Sequence, residues 1–203
     1  MIAEIGHFAL VLALMVSCVQ GVVPLLGAHR GYAPWMSFAN QSALVQFVLV
    51  AISFGCLTHA YVTSDFSLVN VVQNSHSTKP MIYKISGVWG NHEGSMLLWV
   101  LILAIFGAAV AMFGKYLPPA LKARALAIQA LIAVGFYLFI LLTSNPFERM
   151  FPPAENGQDL NPLLQDPGLA IHPPMLDLGY VGFSMAFSFA VAALSEGRAD
   201  AAR

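Results

Sequence analysis

Five stretches of nearly unbroken apolar residues divide the chain, at 5–26, 43–61, 96–113, 125–143 and 175–194. None alternates with a period of two, and none carries the polar face of a surface helix, so each reads as a helix that is apolar all round. A bilayer core about 30 Å thick takes on the order of 20 such residues per crossing. The pattern therefore predicts an all-α integral membrane protein, a single membrane domain over residues 1–203 with about five transmembrane helices. The breaks between the spans hold turn-forming residues: "GAHRGYAPW", "TSDFSLVNVVQNSHSTKP", "GKYLPPALK" and "TSNPFERMFPPAENGQDLNPLLQDPG".

Composition agrees with lipid as the solvent. Hydrophobic residues make up 58% of the chain and charged residues 9%, far from the roughly 25% charged of soluble domains. A formal net charge of −1 with no basic run leaves no footprint for nucleic acid. Cys18 and Cys56 both lie in apolar segments and form no CxxC, which argues against a disulfide, a zinc site or a redox pair. The leader "MIAE" is acidic and no small-residue cleavage site follows, so the first span is expected to be a retained anchor. Lysine and arginine set the orientation. With the N-terminus outside, Arg30, Lys115, Lys122, Arg124, Arg198 and Arg203 fall on the cytoplasmic side, and Lys79, Lys84 and Arg149 on the outer side. The expected topology has a periplasmic N-terminus, a cytoplasmic C-terminus and two long periplasmic loops, 62–95 and 144–174. Long loops in compact domains are usually functional or disordered, so any chemistry is expected on the outer face.

Two stretches in those loops carry candidate chemistry. In "AIHPPML", Pro173 disfavours a helical conformation for the residue before it, and proline suits a first helical turn. His172 is thus expected to be extended at a helix start, its imidazole kept neutral by the positive helix end and open to a metal or haem iron. The alternative is an interfacial histidine bonded to a carbonyl. In "GVWGNHEGSMLLWV", Trp89 and Trp99 fit an aromatic belt, yet His92 and Glu93 beside Gly90 and Gly94 exceed what a belt requires. The glycines would let backbone approach a flat group on which Trp89 stacks. His7 and His59 lie near span ends and read as structural, His76 as solvent-exposed and His29 as a basic flank. Gln20 and Gln129 lie deep enough to bond across helices.

Four blocks, "EIGHFALVLAL", "WGNHEGSMLLWV", "FILLTSNPF" and "DLNPLLQDPGLAIHPPMLDLGYVGFSMAFSFA", resemble in order the N-terminal part of the CcmF family, the haem lyases of bacterial cytochrome c maturation. The resemblance implies a bacterial inner-membrane protein working at its periplasmic face. It implies that haem arrives from the chaperone CcmE and that, with CcmH, haem is joined to the CxxCH thiols of apocytochrome c. It makes His172 an axial ligand to the haem iron. For the block with Trp89, His92 and Glu93, a candidate haem or partner surface on its own residues, it implies a location at the start of the third span and no chemical role. The family also holds a structural b-haem, whose ligands fall beyond this chain, as do its tryptophan-rich motif and second periplasmic histidine. The remainder of CcmF is therefore an expected partner, and the chain alone is expected to bind haem weakly and to lack lyase activity. Asp177 stands where the family tends to have an aromatic residue. It would bond the His172 ring N–H as a supporting group or favour the helix start. Two rival readings remain at this level: a docking subunit that never touches iron, and a transport subunit. The scarcity of acids at mid-bilayer speaks against a proton relay.

Overall fold

A computed structural model describes residues 1–197; Arg198 and Arg203, counted above for orientation, lie outside the described residues. Five long helices are long and apolar enough to cross a membrane: α1 (Ile2–Arg30), α2 (Ala33–Thr63), α5 (His92–Phe113), α6 (Pro119–Thr143) and α7 (Pro167–Glu196). Between α2 and α5 lie two short helices, α3 (Val69–Asn74) and α4 (Met81–Gly87), and a 3₁₀ turn at Pro162–Leu164 precedes α7. The protein is an all-helical, multi-pass membrane protein, with the five spans the hydrophobic pattern predicts.

Every span is longer than its apolar core, because local chemistry rather than hydropathy sets its ends. Gly31, at φ 68°, closes α1, and α2 begins two residues later with proline in its first turn. Asn91 caps α5 by accepting from the Gly94 N–H, and Asp166 caps α7 by accepting from Gly168 and Leu169. Helix α1 packs on α2 and α6, α5 packs on α2 and α6, and α7 lies against α5 and α6. Leu10, Val50, Leu57, Leu97, Leu103 and Ile140 fill the centre. Helix α7 is the edge of the bundle: 22% of its apolar window is buried, against 39–44% for the other four.

Lipid tails are as apolar as leucine, so polar links help to hold the helices in register. The Gln46 Nε2 donates to Ser17 Oγ at 2.6 Å and to Tyr137 Oη at 3.0 Å, tying α2 to α1 and α6. The Gln20 amide donates to the Leu126 carbonyl at 3.1 Å. Gln129 donates to Ser184 Oγ at 3.0 Å and accepts from Ser188 Oγ at 2.9 Å, which docks α7 on α6. The expected cross-helix role of Gln20 and Gln129 is what the structure shows.

At one end of the bundle the two long connections are stitched together. The Val69 N–H donates to Glu148 O, Met150 to Ser67 O, Gln158 to Val72 O and Asp159 to Ser75 O. Gly157 lies so close to Ser75 O that an added Cβ would stand 2.0 Å from it. The cations counted above as loop charges are engaged. Lys84 donates to Ser64 Oγ, Arg149 to Glu4, and Lys79 to the Asn74 carbonyl and, at 3.2 Å, to Asp159.

The Lys79 side chain is fully buried. Burial disfavours its charge, and Asp159 works against that by raising its pKa. Burial also works to raise the Asp159 carboxyl, but the Leu160 N–H and Lys79 outweigh it and hold the carboxyl below its ordinary value. A depressed carboxylate stabilises the fold above its unfolded pKa and loses that contribution as pH falls through the folded one. Exchange protection of the Gln158 and Asp159 amides is therefore expected to stay constant from about pH 8 to about pH 5 and to fall only below about pH 4. Asp159→Ala should lower it between about pH 5 and pH 8, by about 1–3 kcal/mol, and the two proteins should converge below about pH 4. Protection that declines between pH 7 and 5 would contradict this latch.

Candidate functional site

The site is built where α7 begins. Asp166 and Pro167 start the helix, so His172 is its sixth residue rather than an extended residue before it, and Pro173 and Pro174 lie inside α7. The sequence expectation is corrected on this point. The strong cap upstream outweighs the steric preference of a residue before proline. The field of the helix end, which fades within the first turn, is spent on the N–H groups that Asp166 caps.

Proline inside a helix removes the donor to the carbonyl four residues earlier. Pro174 strips that donor from Ala170 O, and the Trp89 Nε1–H supplies it from α4–α5, at 2.8 Å. Trp89 is thus a strut under α7, not only a belt residue. Trp89→Phe is expected to lower stability by about 1–3 kcal/mol, read as a fall in the thermal midpoint in detergent. Adding Pro174→Ala restores an intrahelical donor to Ala170 and should return most of the loss. Equal midpoints for the single and double variants would contradict the assignment.

On the surface so braced, His172 is exposed and its ring makes no hydrogen bond among the described residues. Residues three and four apart share a helix face, and those around His172 are Leu169, Met175 and Leu176, which are 44%, 64% and 45% exposed. Bare imidazole and bare apolar side chains stand together. Asp177 is not among them. Five residues along a helix is a turn of roughly 140° net, and Asp177 makes no bond to His172; its Oδ2 is buried without a partner. The expected support of His172 by Asp177 is not present.

The block from Gly87 to Glu93 packs beneath. Trp89, His92 and Pro173 line one cavity of about 390 Å³, with Leu164 and Met96. His92 bonds Ser144 Oγ through Nε2 at 3.1 Å and also lines an apolar cavity of about 510 Å³ between α5 and α6. Glu93 turns away: its Oε2 accepts from Asn70 at 3.2 Å. Asn70 in turn bonds Asn91 Oδ1 at 2.8 Å, and its Oδ1 accepts from Tyr61 Oη at 2.6 Å. This knot of Tyr61, Asn70, Asn91 and Glu93 escaped sequence reasoning, because three of its members look like ordinary interfacial polar residues. Gly94 serves the knot too. Its Cα faces the Val88 carbonyl so closely that a Cβ would stand 1.6 Å from the oxygen, while Gly90 faces Leu160. Neither glycine leaves a bare strip for a flat ligand, as the sequence suggested.

Comparison with known proteins places this arrangement. Residues 89–200 match the family model for the cytochrome C assembly protein. The chain is 66% identical over 202 residues to the cytochrome c-type biogenesis protein ccl1 of Rhodobacter capsulatus, covering all of this chain and 31% of that protein. It is 49% identical over 202 residues to CcmF of Escherichia coli, covering 98% of this chain and 31% of that one. A solved structure of a cytochrome c haem lyase CcmF superposes with a TM-score of 0.85 at 27% identity, over 98% of this chain and 31% of that chain. The chain thus spans about a third of the length of the relatives it matches. With a family match over more than half its length, and relatives matching along essentially all of it, this chain belongs to the cytochrome c assembly protein family.

Proposed function

We propose that this chain is the section of a haem lyase that presents haem, its substrate, for attachment to apocytochrome c. His172 is the iron ligand. The observation that carries the reading is the coincidence on one face of α7 of an unbonded imidazole with exposed Leu169, Met175 and Leu176. A porphyrin needs a nitrogen donor for its iron and an apolar surface for its macrocycle. The donor chemistry fits: a neutral imidazole ligates iron, and among the described residues no internal partner competes for this one. Trp89, through Ala170, holds the ring's helix rigid, and orientation of the reacting group is what such a site contributes to thioether formation. Trp89 and His92, which line the adjoining cavity, provide the second wall for haem or an incoming partner.

One imidazole fills one axial position. The second ligand, CcmE as donor, CcmH, apocytochrome c and the remainder of the CcmF-like protein are the partners this reading requires. The working face is the end formed by residues 62–95 and 144–174, directed to the periplasm across a bacterial inner membrane, with lysine and arginine balance in support. The test is binding of haem by the purified protein. Titrated with haem, the purified chain should show weak binding that His172→Ala removes while the protein stays folded; unchanged binding would favour a docking role without iron contact.

A further inference from the structure

The opposite end of the bundle holds a second site. A cavity of about 510 Å³ opens between the start of α2, the end of α5 and the start of α6, lined among others by Ser37, Asn40, Lys115 and Lys122. Lys122 is 9% exposed, and its ammonium donates to the last-turn carbonyl of Ala111 at 2.8 Å. No carboxylate among the described residues pairs with it. Glu196, at the end of α7, is taken by Arg124 at 3.4 Å. Lys115 stands at the rim, its ammonium 5.2 Å from the Tyr116 ring. Asn40 makes no side-chain hydrogen bond, and its Oδ1 is buried without a partner. A buried cation with two donor protons to spare, a second cation at the mouth and an orphaned amide carbonyl amount to an incomplete set. What completes it is an anion that also donates a hydrogen bond.

The depth of the cavity identifies the source. It lies where spans α2, α5 and α6 end, and Phe113 and Tyr116 beside it are 76% and 89% exposed, as aromatic residues are at the headgroup level. We propose that this cavity binds the headgroup of an anionic phospholipid. The phosphate accepts from Lys122 and Lys115, and a headgroup hydroxyl, as in phosphatidylglycerol, donates to Asn40 Oδ1. The site is independent of which way the bundle faces and of whether His172 holds iron. A lipid held there braces the junction of α2, α5 and α6.

Native mass spectrometry of the detergent-purified protein, titrated with phosphatidylglycerol, phosphatidylcholine or inorganic phosphate, tests it. One tightly held phosphatidylglycerol per chain is expected, with phosphatidylcholine bound at least about tenfold more weakly and inorganic phosphate not competing. Lys122→Met should weaken phosphatidylglycerol by about tenfold, the worth of one charge-assisted hydrogen bond, and Asn40→Leu by about fivefold, the worth of a neutral one. Lys122→Arg should restore most of it. Asn40→Leu removes no helix-end bond, so it reports on the site even if Lys122→Met loosens the fold. Equal binding of the two lipids, binding insensitive to both variants, or displacement by inorganic phosphate would overturn the proposal.

Discussion

Replacing His172 with alanine is expected to abolish production of c-type cytochromes in the host cell, by at least about tenfold, while leaving the protein itself at normal abundance. The two halves of that outcome come from the same observation. His172 is exposed and unbonded on α7, and substitutions at such positions change stability by no more than about 0.5 kcal/mol. Whatever the ring does, it does for something outside this chain. A ligand to iron supplies both binding and orientation, and its loss removes both together. Haem-stained gels of membrane fractions, with the protein quantified in parallel, read the two halves. Normal cytochromes with normal protein would leave His172 without a role. Loss of both would make it structural, which its exposure argues against.

The second large effect is expected away from any ligand. Gly94→Ala should reduce folded protein sharply, at a cost of about 3 kcal/mol or more. The new methyl would stand 1.6 Å from Val88 O and 2.8 Å from Val88 C, and both are backbone atoms that no rotamer change can clear. Relief requires the start of α5 to move. That would break the bond from Gly94 N–H to Asn91 Oδ1 at 2.8 Å and with it the Asn70–Tyr61 knot that carries the loops. Gly135→Ala is the matched control. Outside its own stretch of helix backbone no atom lies within 4 Å of its added methyl, and alanine gains about 0.5–1 kcal/mol over glycine in a helix. A thermal midpoint for Gly94→Ala equal to that of the parent would show that Val88 yields more easily than this packing allows.

The fold was legible because lipid imposes a single requirement on a spanning segment, and the five apolar runs meet it one by one. Their ends were not, because caps such as Asp166 and Asn91 act through one side-chain oxygen and do not register in hydropathy. That difference decided the conformation of His172. The proline pair pointed to a helix start, yet the helix had already begun five residues earlier. The position of His172 at the head of the fifth span was readable; its exposed apolar neighbours became meaningful once α7 was seen to be helical through Met175. Gln20 and Gln129 announced themselves as amides in apolar runs, whereas Ser17 and Tyr137 did not, since serine and tyrosine are common in such segments. The stitching of the two loops rests on backbone bonds between residues some 80 apart, such as Val69 to Glu148, for which local sequence carries no signal. Trp89 was singled out for its ring, but its role turns on the indole N–H and on a carbonyl that Pro174 leaves bare.

The most direct measurement is an axial-ligand exchange. The protein is purified with haem from cells carrying either His172 or His172→Cys, and the ferric iron is examined by electron paramagnetic resonance. Iron held by residue 172 should change from a histidine-ligated to a thiolate-ligated signature in the variant; identical spectra from the two proteins would show that the iron is held elsewhere.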